Sequence, residues 1–191
     1  MTHTTTDIWQ GGLTSDLSKI LLTEKQIHER VAQLGRTLAS EYADKDPLMV
    51  GILSGSLLFM ADLVRHMNIP LSIDFMAVSS YGDRTTSSGE VRILKDLGSA
   101  ATGRHIVLVE DIVDSGLTLD YLCDILRTRH PASLEICALL DKHEARKRPL
   151  QVRHVGFPCP NEFVVGYGLD YRGHYRNLPY IGVLKPAIYT T

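Results

Sequence analysis

Chemistry is concentrated in the stretch Glu110-Asp111-Ile112-Val113-Asp114-Ser115-Gly116-Leu117-Thr118. Three carboxylates and two hydroxyls surround one glycine, directly behind the apolar run Ile106-Val107-Leu108-Val109. Such a run reads as a buried strand, and the residues from about Leu117 to Arg129 read as a helix. A helix N-terminus offers free N–H groups and the positive end of the helix dipole, which favour a phosphate dianion. Ser115 and Thr118 add hydroxyl donors, and Gly116 lets the backbone come close. The adjacent acids Glu110 and Asp111 repel each other, so they call for hydrogen bonds from sugar hydroxyls or a shared divalent cation. Phosphate on one side, with a vicinal diol and metal on the other, describes a ribose-5-phosphate. Asp-Ser-Gly alone is an ordinary capped turn; the flanking acids and hydroxyls exceed what a turn needs. Other phosphate motifs fail. Gly168 to Gly173 has P-loop spacing, but His174 follows where lysine is required, and no GxGxxG follows a strand.

The elements that must position this turn alternate along the chain. Thr23 to Gln26 forms a capping-box pattern, with Ile27, Val31, Leu34, Leu38 and Tyr42 behind it at helical spacing. Leu48 to Leu53 is wholly apolar and suits a strand buried on both faces. Ser54-Gly55-Ser56 turns the chain, and Leu57 to Met67 reads as a helix. Leu71 to Val78, Val91 to Leu97, Arg104 to Val109 and Leu134 to Leu140 read as strands, and Phe163 to Gly166 as a shorter one. This alternation predicts a single α/β domain over residues 1–191 with a mostly parallel central sheet flanked by helices. In such sheets ligands sit at the carboxyl ends of the strands. Residues 1–18 are expected to form a loose arm. The polar, glycine-containing segment from Tyr81 to Glu90 reads as a mobile loop, and the Tyr-, Arg- and Pro-rich tail after Asp170 as covering loops.

Composition narrows the class. The chain has 191 residues, 44% of them hydrophobic, enough for one domain with a substantial core. A net charge of −2 speaks against a nucleic-acid backbone or an anionic membrane as partner. Cys123, Cys137 and Cys159 form no CxxC pair and read as small apolar fillers in a reducing compartment. His143, His154 and His174 show no HxH or HExxH pattern, so none is assigned to metal. No apolar run reaches membrane-spanning length, and Met1 to Gln10 lacks the apolar stretch of a signal peptide, so a cytoplasmic location is expected.

The segment from Val107 to Thr118 resembles the binding signature for phosphoribosyl pyrophosphate (PRPP) in the type I phosphoribosyltransferases. With Leu139-Leu140-Asp141-Lys142, and with Phe163 to Tyr171 followed by Arg172 and Arg176, the chain is similar to the hypoxanthine-guanine phosphoribosyltransferases over roughly residues 20 to 185. The resemblance implies the type I fold, with a small hood from the terminal segments and a flexible lid at Ser80 and Tyr81. It implies that residues 110–118 hold the ribose and 5′-phosphate, with Asp114 as general base. It assigns the pyrophosphate loop to Ser54 and Gly55, with a cis peptide at Leu53–Ser54, and brings Arg176 to the pyrophosphate. Some relatives carry Lys or Arg where Ser54 stands. Lys142, which can only donate hydrogen bonds, suits the exocyclic oxygen of a 6-oxopurine and mismatches an amino group. Phe163 is implied to stack on the purine, and the backbone at Val164 and near Asp170 to read its edge. Magnesium is the implied cofactor, with Glu110, Asp111 and Asp170 around it. The implied activity is transfer from PRPP to hypoxanthine or guanine, giving IMP or GMP and pyrophosphate, by a homo-oligomer. A xanthine-preferring enzyme and an RNA-binding regulator on the same fold are the alternatives.

Overall fold

A computed structural model describes residues 12–80 and 91–190. Six strands form the central sheet in the order β4-β3-β2-β5-β6-β7: β2 (Leu48–Leu53), β3 (Ser72–Ser80), β4 (Val91–Lys95), β5 (His105–Val113), β6 (Ser133–Asp141) and β7 (His154–Pro158). All neighbours are parallel except β3 and β4. Side chains alternate across this sheet and bury both faces. Met49, Val107, Val109, Cys137 and Leu139 meet α1 (Glu24–Glu41) and α2 (Leu57–Arg65). Leu48, Val50, Ile106, Leu108 and Ile136 meet α3 (Leu117–Arg127) on the other side. Each such aliphatic side chain contributes about 1.5–3 kcal/mol when fully buried. That two-sided demand explains why the strands read as unbroken apolar runs.

The capping box is present at the start of α1, where Thr23 and Gln26 satisfy each other's backbone N–H groups. Ile27, Val31, Leu34 and Leu38 are buried on one face of that helix. All three cysteines are free and buried. No helix among the described residues is long and apolar enough to cross a membrane.

Three strands correct the sequence reading. Residues 12–18 are not a loose arm: Gly12–Asp16 forms a 3-10 turn, and β1 (Leu17–Leu22) pairs antiparallel with β9 (Ile181–Leu184). The tail after Asp170 therefore holds a strand as well as covering loops, and it ends in the short helix α4 (Pro186–Tyr189). With β8 (Val164–Val165) these strands form a second sheet, β1-β9-β8, the small hood. Leu17 packs there with Val165, Tyr171, Tyr175, Leu178 and Tyr180. Tyr175 donates to Asp16 Oδ2 at 2.7 Å, and the Lys185 N–H donates to the Asp16 carbonyl at 2.9 Å. These partners lie some 160 residues away in sequence, so no local pattern announces them. β7, five residues long and carrying a glycine and a terminal proline, also escaped the sequence reading. Tyr81 of the expected lid lies outside the described residues; Ser80 closes β3.

Candidate active site

Strands β2 and β5 lie side by side and run the same way, so the turn after each opens at one sheet edge. Between them is a cavity of about 240 Å³. Its walls are Ile52, Leu53, Gly55, Val78, the segment Glu110 to Gly116, Thr118 and Leu119. Of the residues expected to bind the sugar phosphate, Leu117 does not line it; neither does Ser54 from the pyrophosphate loop. Ser54 is exposed, and the Leu53–Ser54 peptide is cis. Gly116 precedes α3 with φ +78°, the left-handed region open to glycine.

Strand β5 runs four residues further than its apolar core. Glu110, Ile112 and Val113 still pair with Ala138, Leu140 and Asp141 of β6. The two acids therefore sit on a rigid strand end and not in the turn. Oε2 of Glu110 is enclosed without a hydrogen-bond partner. Burial pushes the Glu110 carboxyl well above the ordinary range, and the charge of Asp111 adds to it. Burial also pushes Asp111 up to about 6, against the lowering pull of the Ile112 N–H and of Arg176. The Asp111 carboxylate lies against Gly55, where a Cβ would overlap Oδ2. Gly55 is in turn covered by Gly168, whose Cβ would overlap the Gly55 carbonyl oxygen.

A second cavity of about 240 Å³ adjoins the first and shares Asp111, Ile112 and Asp114 with it. Lys142, Phe163, Val164, Leu169 and Asp170 complete its wall. Lys142 follows β6 directly, and its N–H donates to the Val113 carbonyl at 2.9 Å. Its Nζ lies 3.6 Å from Asp114 Oδ2; the lysine side chain is 10% exposed, that of Asp114 58%. Phe163 is stacked on Tyr189 at 4.9 Å between centroids and meets Tyr171 edge-on at 5.5 Å. Arg176 lines neither cavity: it donates to the Gly168 carbonyl and pairs with Asp170 Oδ1 at 2.8 Å. The other Asp170 oxygen accepts from the Gly173 N–H. Among the described residues, no three acidic, histidine or cysteine side chains gather into a metal cage.

Several supporting residues escaped the sequence reading. Arg146 pairs with Asp141 at 2.6 Å and donates to the Leu150 carbonyl. The Lys147 N–H donates to the Ser115 carbonyl at 3.0 Å, so the segment after Lys142 braces the phosphate turn. The basic run from Lys142 to Arg148 was the available signal. Tyr167 donates to Asp62 of α2 at 2.6 Å. The flanking glycines Gly166 and Gly168 marked an unusual backbone there, but nothing local pointed to Asp62.

Comparison with known proteins agrees with this geometry. Residues 18–172 match the phosphoribosyl transferase domain family. The chain is 55% identical over 174 residues to a hypoxanthine-guanine phosphoribosyltransferase from Bacillus subtilis (strain 168), covering 91% of this chain and 97% of that one. It is 50% identical over 180 residues to the Mycobacterium avium protein of the same name, covering 91% and 89%. A solved hypoxanthine phosphoribosyltransferase from Staphylococcus aureus superposes with a TM-score of 0.92 at 48% identity, covering 96% of this chain and 100% of that chain. The paired cavities at one sheet edge and these likenesses along nearly the whole chain lead to one assignment: this chain belongs to the hypoxanthine-guanine phosphoribosyltransferase family.

Proposed function

We propose that the protein transfers the 5-phosphoribosyl group of PRPP to N9 of hypoxanthine or guanine, giving IMP or GMP and pyrophosphate. The observation that carries this reading is the pair of joined cavities. One is floored by a phosphate-type turn and the other edged by Lys142 and Phe163, and Asp114 stands at their junction. The N–H groups at the start of α3, with Ser115 and Thr118, take the 5′-phosphate. The turn at Gly55 faces the pyrophosphate. Lys142 donates to the exocyclic oxygen of the base, and Phe163 supplies its apolar face. As N9 bonds to C1 of the sugar, the C1–oxygen bond breaks and its electron pair leaves with pyrophosphate. The proton on N7 passes to Asp114, whose exposed carboxylate lies within reach of the base pocket.

The donor set at the end of β5 fits magnesium. Glu110 and Asp111 are adjacent hard-oxygen donors, and one enclosed oxygen has no partner. These two residues would hold the cation; Asp170 is held by Arg176 and Gly173 and would act through water. When bound, the ion supplies charge neutralisation for the pyrophosphate leaving group. We read the enzyme as cytoplasmic and as a homo-oligomer; the exposed Leu57 and Leu58 on α2 offer apolar surface for a second copy to cover.

The test is a spectrophotometric assay with PRPP, magnesium chloride and hypoxanthine, guanine, xanthine or adenine in turn. IMP and GMP should form at rates well above those for the other two bases. Absence of turnover with both hypoxanthine and guanine overturns the proposal.

A further inference from the structure

We infer that Tyr167 is a positioning residue that holds the pyrophosphate loop at its working height by pinning the 166–170 loop to α2. The inference rests on the proposed reaction, because that reading brings pyrophosphate to the turn at Gly55.

The backbone is unusual here. Gly166, Tyr167 and Gly168 have φ of +103°, +48° and +99°, three left-handed residues in succession. Glycine tolerates such values, whereas a tyrosine there is strained and must be held by its surroundings. Tyr167 is only 4% exposed, and its hydroxyl donates to Asp62 Oδ2 at 2.6 Å. The other groups facing Asp62 are more distant: His28 Nε2 and Arg65 Nη1 both lie at 3.9 Å. Tyr167 is therefore the close partner of that carboxylate.

The placement of the two ends gives the bond its consequence. Asp62 belongs to α2, which begins two residues after Gly55. Gly168, the next residue after Tyr167, rests on the Gly55 carbonyl so closely that a Cβ would overlap it. Gly55 in turn lies against the Asp111 carboxylate. The 166–170 loop thus grips the pyrophosphate turn and its helix at two points, one steric and one a charge-assisted hydrogen bond. Releasing the hydroxyl bond leaves the steric contact and the apolar packing of the Tyr167 ring and Leu169 against the α2 side of the core, neither of which is directional, and the turn can lift away from Asp111. The purine side is held separately, by pairing of Val164 and Val165 with β9.

Tyr167→Phe keeps the buried ring and removes only the bond. We expect KM for PRPP, and KM for pyrophosphate in the reverse reaction, to rise about tenfold to hundredfold, the size set by one lost hydrogen bond to a charged group. KM for hypoxanthine should stay within about twofold. Asp62→Ala should reproduce the effect, and the double variant should be no worse than either single one. Asp62→Asn, which keeps an acceptor oxygen, should recover most of the wild-type KM. An unchanged KM for PRPP in Tyr167→Phe overturns the inference. So does an equal rise in both KM values accompanied by a lowered Tm, which marks general loosening. Wild-type turnover is measured first: its absence sinks the proposed reaction and this inference with it, whereas normal wild-type turnover with an unaltered variant sinks the inference alone.

Discussion

The strand end and turn from Glu110 to Thr118 and the loop from Gly166 to Arg176 lie on either side of Gly55, yet they are held in place in opposite ways. The turn is a local object. Strand β5 leads into it, Gly116 reverses the chain at φ +78°, and α3 leads out. The loop has no regular element of its own. Its shape depends on Asp62, on the Gly55 carbonyl and on its own Arg176 reaching back to Gly168. A site can therefore combine one half whose chemistry is written in consecutive residues with another that exists only after the chain has closed.

The largest expected effect falls on the local half. Asp114→Asn should lower turnover by about 10²–10⁴-fold, the usual worth of a general base, with KM for PRPP little changed. Steady-state kinetics decides, and near-normal turnover would remove Asp114 from the mechanism.

Two glycines then test the contrast directly. Both have positive φ, but an added Cβ meets Gly55 backbone at Gly168, whereas at Gly116 the nearest heavy atom is 3.6 Å away. Gly168→Ala should cost about tenfold to hundredfold in kcat/KM, in line with forcing an atom into packed structure. Gly116→Ala should show only the penalty of a left-handed alanine, about 1–2 kcal/mol in denaturant unfolding. Equal effects would erase the distinction between the two regions.

The carboxylates beneath Gly55 make a pH-dependent prediction. The folded Asp111 carboxyl is raised to about 6 and Glu110 is raised well above the ordinary range, so the folded protein binds protons more tightly than the unfolded chain. The stability tied to Asp111 is therefore present below about pH 4 and lost as pH rises through about 6. Asp111→Asn should relieve this at pH 7.5 and raise Tm by several degrees. Magnesium chloride should raise wild-type Tm more at pH 7.5 than at pH 5, and hardly at all in the variant. Scanning calorimetry at the two pH values checks both.

The smallest effect is expected in the hood. Lys19 and Glu162 pair at 2.9 Å, but their side chains are 54% and 37% exposed. Lys19→Ala should change unfolding free energy by about 1 kcal/mol or less. A larger loss would mean that the hood depends on this surface pair as well as on its buried tyrosines.

Legibility followed the same division. The capping box at Thr23 and the apolar cores of β2, β5 and β6 could be read because each depends on neighbours within a few residues. Strand β1 could not: of its six residues only Leu17 is buried, and its partner is β9 at the far end of the chain. Strand β9 is wholly buried but only four residues long, set in a tail rich in turn-forming residues. Asp170 and Arg176 were legible as polar groups of the site, but not as partners of each other.

The order of residues alone determined that an acid pair, a phosphate-type turn and a donor-only amine would each stand at the carboxyl end of a strand. Parallel strands place such ends along one edge, so this much follows from pattern. Only the tertiary structure decided that Lys142 stops 3.6 Å from Asp114, that Asp111 lies pressed against Gly55, and that Tyr167 reaches Asp62. Those facts depend on strand register and on which groups are cut off from water, and both arise from segments far apart in sequence meeting at once.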